Sequence, residues 1–125
     1  MCGICGVYEY ESLQPVERQT ICSMLQVISH RGPDDEGLYL DGNLGLGNRR
    51  LSIIDLDGGR QPIYNEDRSV IVVFNGEIYN YREIARQLRQ RGHLFKTASD
   101  TEVIVHLYEE FSDDCVCELR GMFAF

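Results

Sequence analysis

Strand-like and helix-like apolar segments are mixed along this chain without a regular β-α-β alternation, and this mixture constrains the fold most strongly. Residues 69–74 are continuous β-branched and aromatic sequence, typical of a strand buried on both faces. Residues 103–111 instead place their apolar side chains at helical spacing. Because helices and strands that do not alternate regularly pack as separate layers, the sequence predicts an α+β fold of antiparallel sheets covered by helices.

The individual elements follow from apolar spacing and from turn chemistry. The sequence predicts strands at 4–10, 36–40, 44–54, 69–74, 93–97 and 121–125, and helices at 15–29, 80–92, 99–111 and 115–120. Residues 41–43 predict a hairpin between the second and third strands. Asn80 with Glu83, and Ser99 with Glu102, have the spacing of helix capping boxes.

The length and composition are those of one globular domain, or of part of one, with 125 residues, 43% hydrophobic and 26% charged. A formal net charge of −8 argues against nucleic acid as a partner, because phosphate binding requires clustered Lys and Arg. The longest apolar run is too short to span a membrane, and the N-terminus does not match a secretory signal. We therefore expect a cytoplasmic protein whose five cysteines are free thiols.

Cys2 is the first candidate for chemistry. If Met1 is removed, Cys2 carries a thiol and a free α-amino group on the same Cα. A thiol titrates near ~8.5 and an α-amino group near ~7.7–8.0, so that part of the amine can accept the thiol proton at neutral pH. One residue then supplies both a nucleophile and its base. If Met1 is retained, the amine is an amide and Cys2 is an ordinary cysteine.

Three further positions carry groups that could surround a nucleophile, and each also has a purely structural explanation. Arg50 lies in a half-buried strand, where it could clamp a carboxylate or form a structural ion pair. The Asn75-Gly76 pair ends the most hydrophobic strand and could form an oxyanion hole or a tight turn. Asp100 could bind a substrate ammonium or favour the start of its helix through the helix dipole.

Candidate metal ligands carry weaker signals. His30, His93 and His106 show no metal or triad spacing, and we predict that His93 is a surface residue and that His106 flanks the helical stripe. The pairs Cys2-x-x-Cys5 and Cys115-x-Cys117 could hold a structural zinc or form a redox pair. Because the second spacing is unusual for zinc, we interpret the cysteines after Cys2 as small core residues and predict no metal site.

Seven motifs occur in order along the chain. They are Met1-Cys2-Gly3-Ile4, His30-Arg31-Gly32-Pro33-Asp34, Arg50-Leu51-Ser52-Ile53, Gln61-Pro62-Ile63-Tyr64-Asn65, Asn75-Gly76-Glu77-Ile78-Tyr79-Asn80, Ser99-Asp100-Thr101-Glu102 and Gly121-Met122-Phe123-Ala124-Phe125. This series resembles the glutaminase domain of class II glutamine amidotransferases, most closely the glutamine-hydrolysing asparagine synthetase branch. The resemblance covers essentially the whole chain.

The resemblance implies a fold and a reaction. The fold is the N-terminal-nucleophile hydrolase sandwich, in which antiparallel sheets lie between helical layers. The reaction is hydrolysis of L-glutamine to glutamate and ammonia through a γ-glutamyl thioester on Cys2. In this family pattern, Asn75 and Gly76 stabilise the tetrahedral oxyanion.

The resemblance also implies how the substrate is held. Arg50 binds the α-carboxylate of glutamine, and Asp100, with help from Glu77, binds its α-ammonium group. The residues 30–34 are a candidate loop for closing over the substrate. Backbone groups that line the pocket belong to Leu51, Ile53 and Ile54.

The expected partners follow from the same resemblance. The family's domain continues beyond residue 125 and is followed by an ATP-dependent synthetase domain, so we expect 1–125 to be an incomplete glutaminase domain that supplies ammonia to a synthetase domain or subunit. Glutamine hydrolysis needs no cofactor, and ATP and Mg²⁺ are expected only for the synthetase domain. An uncovered sheet edge would favour a homodimer. The alternatives are a non-catalytic remnant that binds glutamine or a partner, and a small metal or redox protein.

Overall fold

The computed structural model describes residues 2–51 and 59–125, which form an α+β arrangement. The strands are β1 (Gly3–Tyr8), β2 (Asp35–Asp41), β3 (Leu44–Arg50), β4 (Ile63–Tyr64), β5 (Ile71–Val72), β6 (Asn75–Ile78) and β7 (Gly121–Ala124). The α-helices are α1 (Arg18–Val27), α2 (Tyr81–Gln90) and α3 (Glu102–Phe111), with 3-10 turns at Ser29–Arg31 and Ser112–Glu118. Within these described ranges, none of the helices has the length and apolar character needed to cross a membrane.

The first sheet holds the start of the chain against its central strand. Its order is β1-β3-β2, both pairs are antiparallel, and Gly3 lies opposite Arg49 in the register. Helix α1 covers this sheet with two buried side chains, Ile21 and Leu25. The helix can pack closely because Gly47 has no side chain, and a Cβ there would lie 2.8 Å from the sulfur of Cys5. The predicted hairpin is confirmed, with Gly42 in its turn at φ +51°.

The larger core lies in the second part of the chain. Strands β4 and β5 form one two-stranded sheet, and β6 and β7 form another, both antiparallel. The apolar faces of α2 and α3 pack in one cluster with these strands. Its fully buried side chains include Phe74, Ile78, Leu88, Val103 and Val105. The segment that precedes β6 and the segment that precedes α3 are thus held by one core.

Three predicted strands are shorter than expected or missing. The strand predicted at 69–74 is reduced to β5, although Val72, Val73 and Phe74 are all buried as expected. Residues 93–97 form no strand, because their backbone donors are used elsewhere. The Leu94 N–H donates to the Glu66 carboxylate, and the N–H groups of residues 96 and 97 donate to the Glu102 carboxylate. The strand predicted at 44–54 ends at Arg50, and 52–58 lie outside the described residues.

The predicted capping boxes are wrong. Asn80 occupies the N-cap position of α2, but its side chain bonds the backbone of residues 118 and 120 instead of capping the helix. Helix α3 begins at Glu102, whose carboxylate binds the preceding segment rather than Ser99. Asn80 is thus taken by partners distant in the sequence, and Glu102 by the segment just before its helix. Gly92 does end α2, at φ +106°.

Candidate active site

A cavity of about 250 Å³ opens between the first sheet and the second core. This is below the usual size of pockets for drug-sized ligands and suits a single amino acid. Seven of the nine predicted site residues line it: Cys2, Arg50, Leu51, Asn75, Gly76, Glu77 and Asp100. The remaining two, Ile53 and Ile54, lie outside the described residues. Gly59, Gln61, Phe74, Ser99, Thr101 and Met122 complete the lining.

Cys2 is held at the edge of the cavity by its position just before β1. The Leu51 N–H donates to the Cys2 sulfur at 3.3 Å, and the thiol lies 3.7 Å from the Leu51 carbonyl oxygen. The Arg31 Nε–H donates to the Cys2 carbonyl at 3.1 Å. A residue so close to a chain terminus is usually mobile unless it is tied down. Here β1 pairing and these contacts fix the thiol toward the cavity.

The loop at 30–34 packs against Cys2 and the end of β3. Gly32 packs so closely on the end of β3 that a Cβ would lie 2.5 Å from the Arg49 carbonyl carbon. Arg31 contacts the Cys2 backbone, as described above. The structure describes all of 30–34, and none of these residues lines the cavity. In this arrangement the loop therefore positions Cys2, and its predicted closure over a substrate stays a prediction.

Arg50 places a positive charge on one side of the cavity. It is the last residue of β3 and is only 5% exposed. Arg50 lines the same cavity as Cys2 and as the next residue in the sequence, Leu51. Because a guanidinium binds a carboxylate through two parallel hydrogen bonds, this side of the cavity suits a carboxylate ligand.

Asn75 and Gly76 begin strand β6 and do not form a tight turn. Gly76 has φ +154°, and a Cβ on it would lie 2.1 Å from the Met122 carbonyl oxygen. Among the described residues, the buried Oδ1 of Asn75 has no hydrogen-bond partner. Buried polar atoms are nearly always paired, so an unpaired one in a cavity wall marks a position for a ligand.

Asp100 supplies a buried carboxylate to the cavity that Arg50 also lines. It is 5% exposed and lies in the turn just before α3, rather than in the first helical turn. Its Oδ2 accepts the Ile78 N–H at 2.9 Å. Burial raises the pKa of this carboxyl group and Glu77 adds to the effect, while backbone hydrogen bonds from Ile78 and Thr101 oppose it. A cationic ligand group would relieve the cost of keeping this carboxylate ionised.

Two residues that join the walls of the cavity were missed in the sequence. Asn48 is fully buried, and its amide donates to the Phe74 carbonyl at 3.1 Å and to the Gly3 carbonyl at 3.5 Å. The Gln61 Oε1 accepts the Phe74 N–H at 2.6 Å. Asn48 therefore connects β1, which follows Cys2, to Phe74, which precedes Asn75. Gln61 provides a second contact to Phe74. A polar residue inside a strand pattern, such as Asn48, was the available signal.

The histidines and cysteines differ from expectation. His106 is fully buried and His93 is mostly buried, so the surface prediction for His93 is wrong. Cys115 lies in the larger core, whereas Cys5 packs in the core under α1. Because different cores hold these two cysteines, the four cysteines considered as alternative zinc ligands do not form one site. Cys117 is exposed, which corrects its assignment to the core.

Comparison with known proteins identifies relatives of the whole chain. A family model described as the glutamine amidotransferase domain matches residues 1–125. The glutamine-hydrolyzing asparagine synthetase 1 of Bacillus subtilis (strain 168) is 45% identical over 127 residues, covering 100% of this chain and 20% of the relative. Asparagine synthetase 2 of the same strain is 47% identical over 126 residues, covering 99% and 17%.

A plant relative gives the same result. The glutamine-hydrolyzing asparagine synthetase 2 of Oryza sativa subsp. japonica is 46% identical over 125 residues, covering 100% of this chain and 21% of the relative. The chain therefore spans about a fifth of the length of the curated relatives it matches. Identity at this level along the full chain confirms the resemblance that the seven motifs indicated.

Proposed function

Because this chain belongs to the glutamine amidotransferase domain family, we propose that its cavity binds L-glutamine and hydrolyses the side-chain amide. The observation that carries the proposal is the arrangement of three groups around one cavity. A thiol at Cys2, a buried cation at Arg50 and a buried carboxylate at Asp100 all line it. A free amino acid has the two charges that these side chains would bind, and an amide carbon that a thiol can attack.

Substrate binding would use the two charged walls. Arg50 binds the α-carboxylate of glutamine, and Asp100 binds its α-ammonium, with Glu77 adding negative charge nearby. Glutamine carries both of the charges that these side chains would bind, so analogues that lack either charge would bind weakly. Leu51 lines the pocket beside the thiol. The corresponding roles of Ile53 and Ile54 stay predictions from the family pattern.

Hydrolysis would proceed in two halves on Cys2. After removal of Met1, the α-amine accepts the thiol proton while the sulfur attacks the amide carbon. The Asn75 side chain and the Gly76 N–H stabilise the oxyanion that forms. Collapse of this intermediate breaks the C–N bond, and ammonia leaves with the proton that the amine returns. Water then attacks the thioester, releases glutamate and regenerates the thiol.

The ammonia would be used by a partner domain. The relatives are named as asparagine synthetases that hydrolyse glutamine, and this chain matches about a fifth of each. We propose that the chain has the N-terminal-nucleophile arrangement and supplies ammonia to an ATP- and Mg²⁺-dependent amidation elsewhere. The antiparallel sheets and the position of Cys2 ahead of β1 support this proposal.

The proposal is tested with 6-diazo-5-oxo-norleucine, an electrophilic analogue of glutamine, and intact-mass measurement. The expected result is loss of Met1 and one adduct per chain, with excess glutamine slowing the reaction. Cys2→Ala should abolish the adduct. Cys22→Ala is the matched control, since Cys22 does not line the cavity, and should label normally. An adduct that persists in Cys2→Ala, or none in the protein that has lost Met1, would overturn the assignment of Cys2 as nucleophile.

A further inference from the structure

Four side chains outside the cavity converge on one point. Glu66 lies in the β4–β5 turn, His93 lies just after α2, and His106 and Glu109 lie on α3. One ligand atom from each can be chosen so that all four lie within 4.8 Å of one another. This set of two imidazoles and two carboxylates offers the donor atoms that zinc and similar divalent metals prefer.

Three of the six distances between these atoms suit a tetrahedral site. The His106 Nδ1 lies 3.2 Å from the Glu109 Oε2 and 3.4 Å from the Glu66 Oε2. The His93 Nδ1 lies 3.5 Å from the same Glu109 oxygen. Zinc bonds of about 2.0–2.2 Å to nitrogen and oxygen place tetrahedral ligands roughly 3.3–3.6 Å apart. These three distances therefore suit ligands of one metal ion, and the other pairs lie within 4.8 Å.

The two carboxylate ligands are oriented by outer hydrogen bonds. The Glu109 Oε1 accepts the Asn65 amide at 2.9 Å, which turns Oε2 toward the histidines. The Glu66 Oε1 accepts the Leu94 N–H at 2.8 Å, which likewise directs its Oε2 toward His106. Ligating carboxylates in metal sites are typically held by hydrogen bonds of this kind.

The two histidines also have outer carboxylates. The His93 Nε2 lies 2.9 Å from the Glu110 Oε1, and the His106 Nε2 lies 3.7 Å from the Glu102 Oε1. Within the described residues, the buried His106 Nε2 has no hydrogen-bond partner. A metal on Nδ1 would leave the ring proton on Nε2, where it faces the Glu102 carboxylate. Carboxylate–histidine–metal arrangements fix the ring and its tautomer in this way.

Charge and access are also suitable for a divalent cation. Two ionised glutamates balance a charge of +2 when both histidines are neutral. The Glu66 and Glu109 side chains are 31% and 29% exposed, whereas His106 is 1% exposed. The site is thus open on its carboxylate side and closed on its histidine side, which provides an entry path for an ion.

We propose that Glu66, His93, His106 and Glu109 bind one divalent transition-metal ion of the zinc class. The ion would tie the β4–β5 turn and the segment after α2 onto α3. None of these four residues lines the cavity, and His106 lies four residues, roughly 6 Å of helical rise, beyond Glu102 where α3 begins, so the site is distinct from the cavity. Bound metal would stabilise α3, and Asp100 lies in the turn just before this helix.

The test uses metal-free protein that carries Cys2→Ala, because Cys2 is itself able to bind metal and would compete with the proposed site. Titration with Co²⁺ should give the visible absorption of a tetrahedral nitrogen–oxygen site without thiolate charge transfer, and elemental analysis should give one Zn²⁺ per chain. Zinc at 100 times its Kd should raise the Tm by roughly 10 °C. Absence of the Co²⁺ spectrum together with an unchanged Tm would overturn the proposal.

Matched variants separate this site from other metal ligands. His93→Gln should abolish the Co²⁺ spectrum, while Glu110→Gln, which changes only an outer partner, should weaken binding about 10- to 100-fold. His30→Gln is the control, because His30 is exposed and contacts the Val27 carbonyl instead. It should bind as the parent protein does. Circular dichroism of each metal-free variant checks that it is folded, and full binding by folded His93→Gln would overturn the assignment.

Discussion

Gly76→Ala should be among the most damaging single-methyl additions to this fold. Gly76 lies in β6 opposite Phe123 in β7, at φ +154°. A Cβ there would lie 2.1 Å from the Met122 carbonyl oxygen and 2.6 Å from the Phe123 Cα. Both neighbours are backbone atoms, so no side-chain rotation relieves the overlap. The two strands would have to separate, and they form one wall of the cavity.

The magnitude follows from two separate costs. A non-glycine residue at such a φ costs about 1–3 kcal/mol. Overpacking by one methyl against backbone costs typically a further 1–3 kcal/mol. We therefore expect a loss of about 2–6 kcal/mol in the free energy of unfolding, against a total of roughly 5–15 kcal/mol for a domain. Gly92→Ala is the matched control, because Gly92 has φ +106° but has no atom within 4 Å of its added Cβ.

The assay is urea denaturation of both variants, followed by circular dichroism, with labelling by the glutamine analogue measured in parallel. Gly76→Ala should unfold at a clearly lower urea concentration than Gly92→Ala. It should also label slowly, because the proposed oxyanion site at Asn75 and Gly76 moves with the strand. Gly92→Ala should lose only the backbone cost and label at the normal rate. Equal denaturation midpoints for the two variants would refute the argument that backbone contact at Gly76 controls the pairing of β6 and β7.

Three further outcomes are expected. Asp100→Asn should raise the KM for glutamine about 30-fold or more, since a buried charge partner is removed. The pKa of Asp100 is raised in the folded protein, so the folded state binds this proton more tightly than the unfolded state does. The free energy of unfolding of the parent protein should therefore fall as pH rises through that pKa. Asp100→Asn lacks this group and should lose less stability over the same rise in pH. Glutamine binding by the parent protein should correspondingly weaken as pH falls through that pKa; a KM independent of pH in the acid range would contradict this. Asn48→Ala should cost about 1–3 kcal/mol in urea unfolding, because it leaves the Phe74 carbonyl without that donor, while Asn43→Ala, at a half-buried position in the β2–β3 turn, should cost less than ~1 kcal/mol; equal losses would count against the role of Asn48. Iodoacetamide should modify the exposed Cys117 well before Cys115, because burial raises the pKa of the Cys115 thiol. Peptide mass mapping measures the order of modification, and the reverse order would be inconsistent with the packing described here.

Local chemistry explains which parts of the fold were predictable. The hairpin from β2 to β3 and the C-terminal end of α2 depend on residues that are close in sequence, notably Gly42 and Gly92, and both predictions are confirmed. The strand predicted at 93–97 is wrong because the carboxylates of Glu66 and Glu102 take its backbone donors. Sequence spacing does not reveal such long-range competition for a hydrogen bond.

The sequence by itself determined the chemistry that is available: a thiol at Cys2, the motifs of the amidotransferase family, and the charges at Arg50 and Asp100. These follow from residue identity and order alone. Only the tertiary structure decided that Asn75-Gly76 starts a strand instead of a turn, and that Asn48 joins the two walls of the cavity. It also gathered His93 and His106 with two glutamates, although their spacing showed no pattern. The physical reason is that packing of α2 and α3 into one core brings together groups that are distant in the sequence, and spacing along a chain contains no information about such contacts.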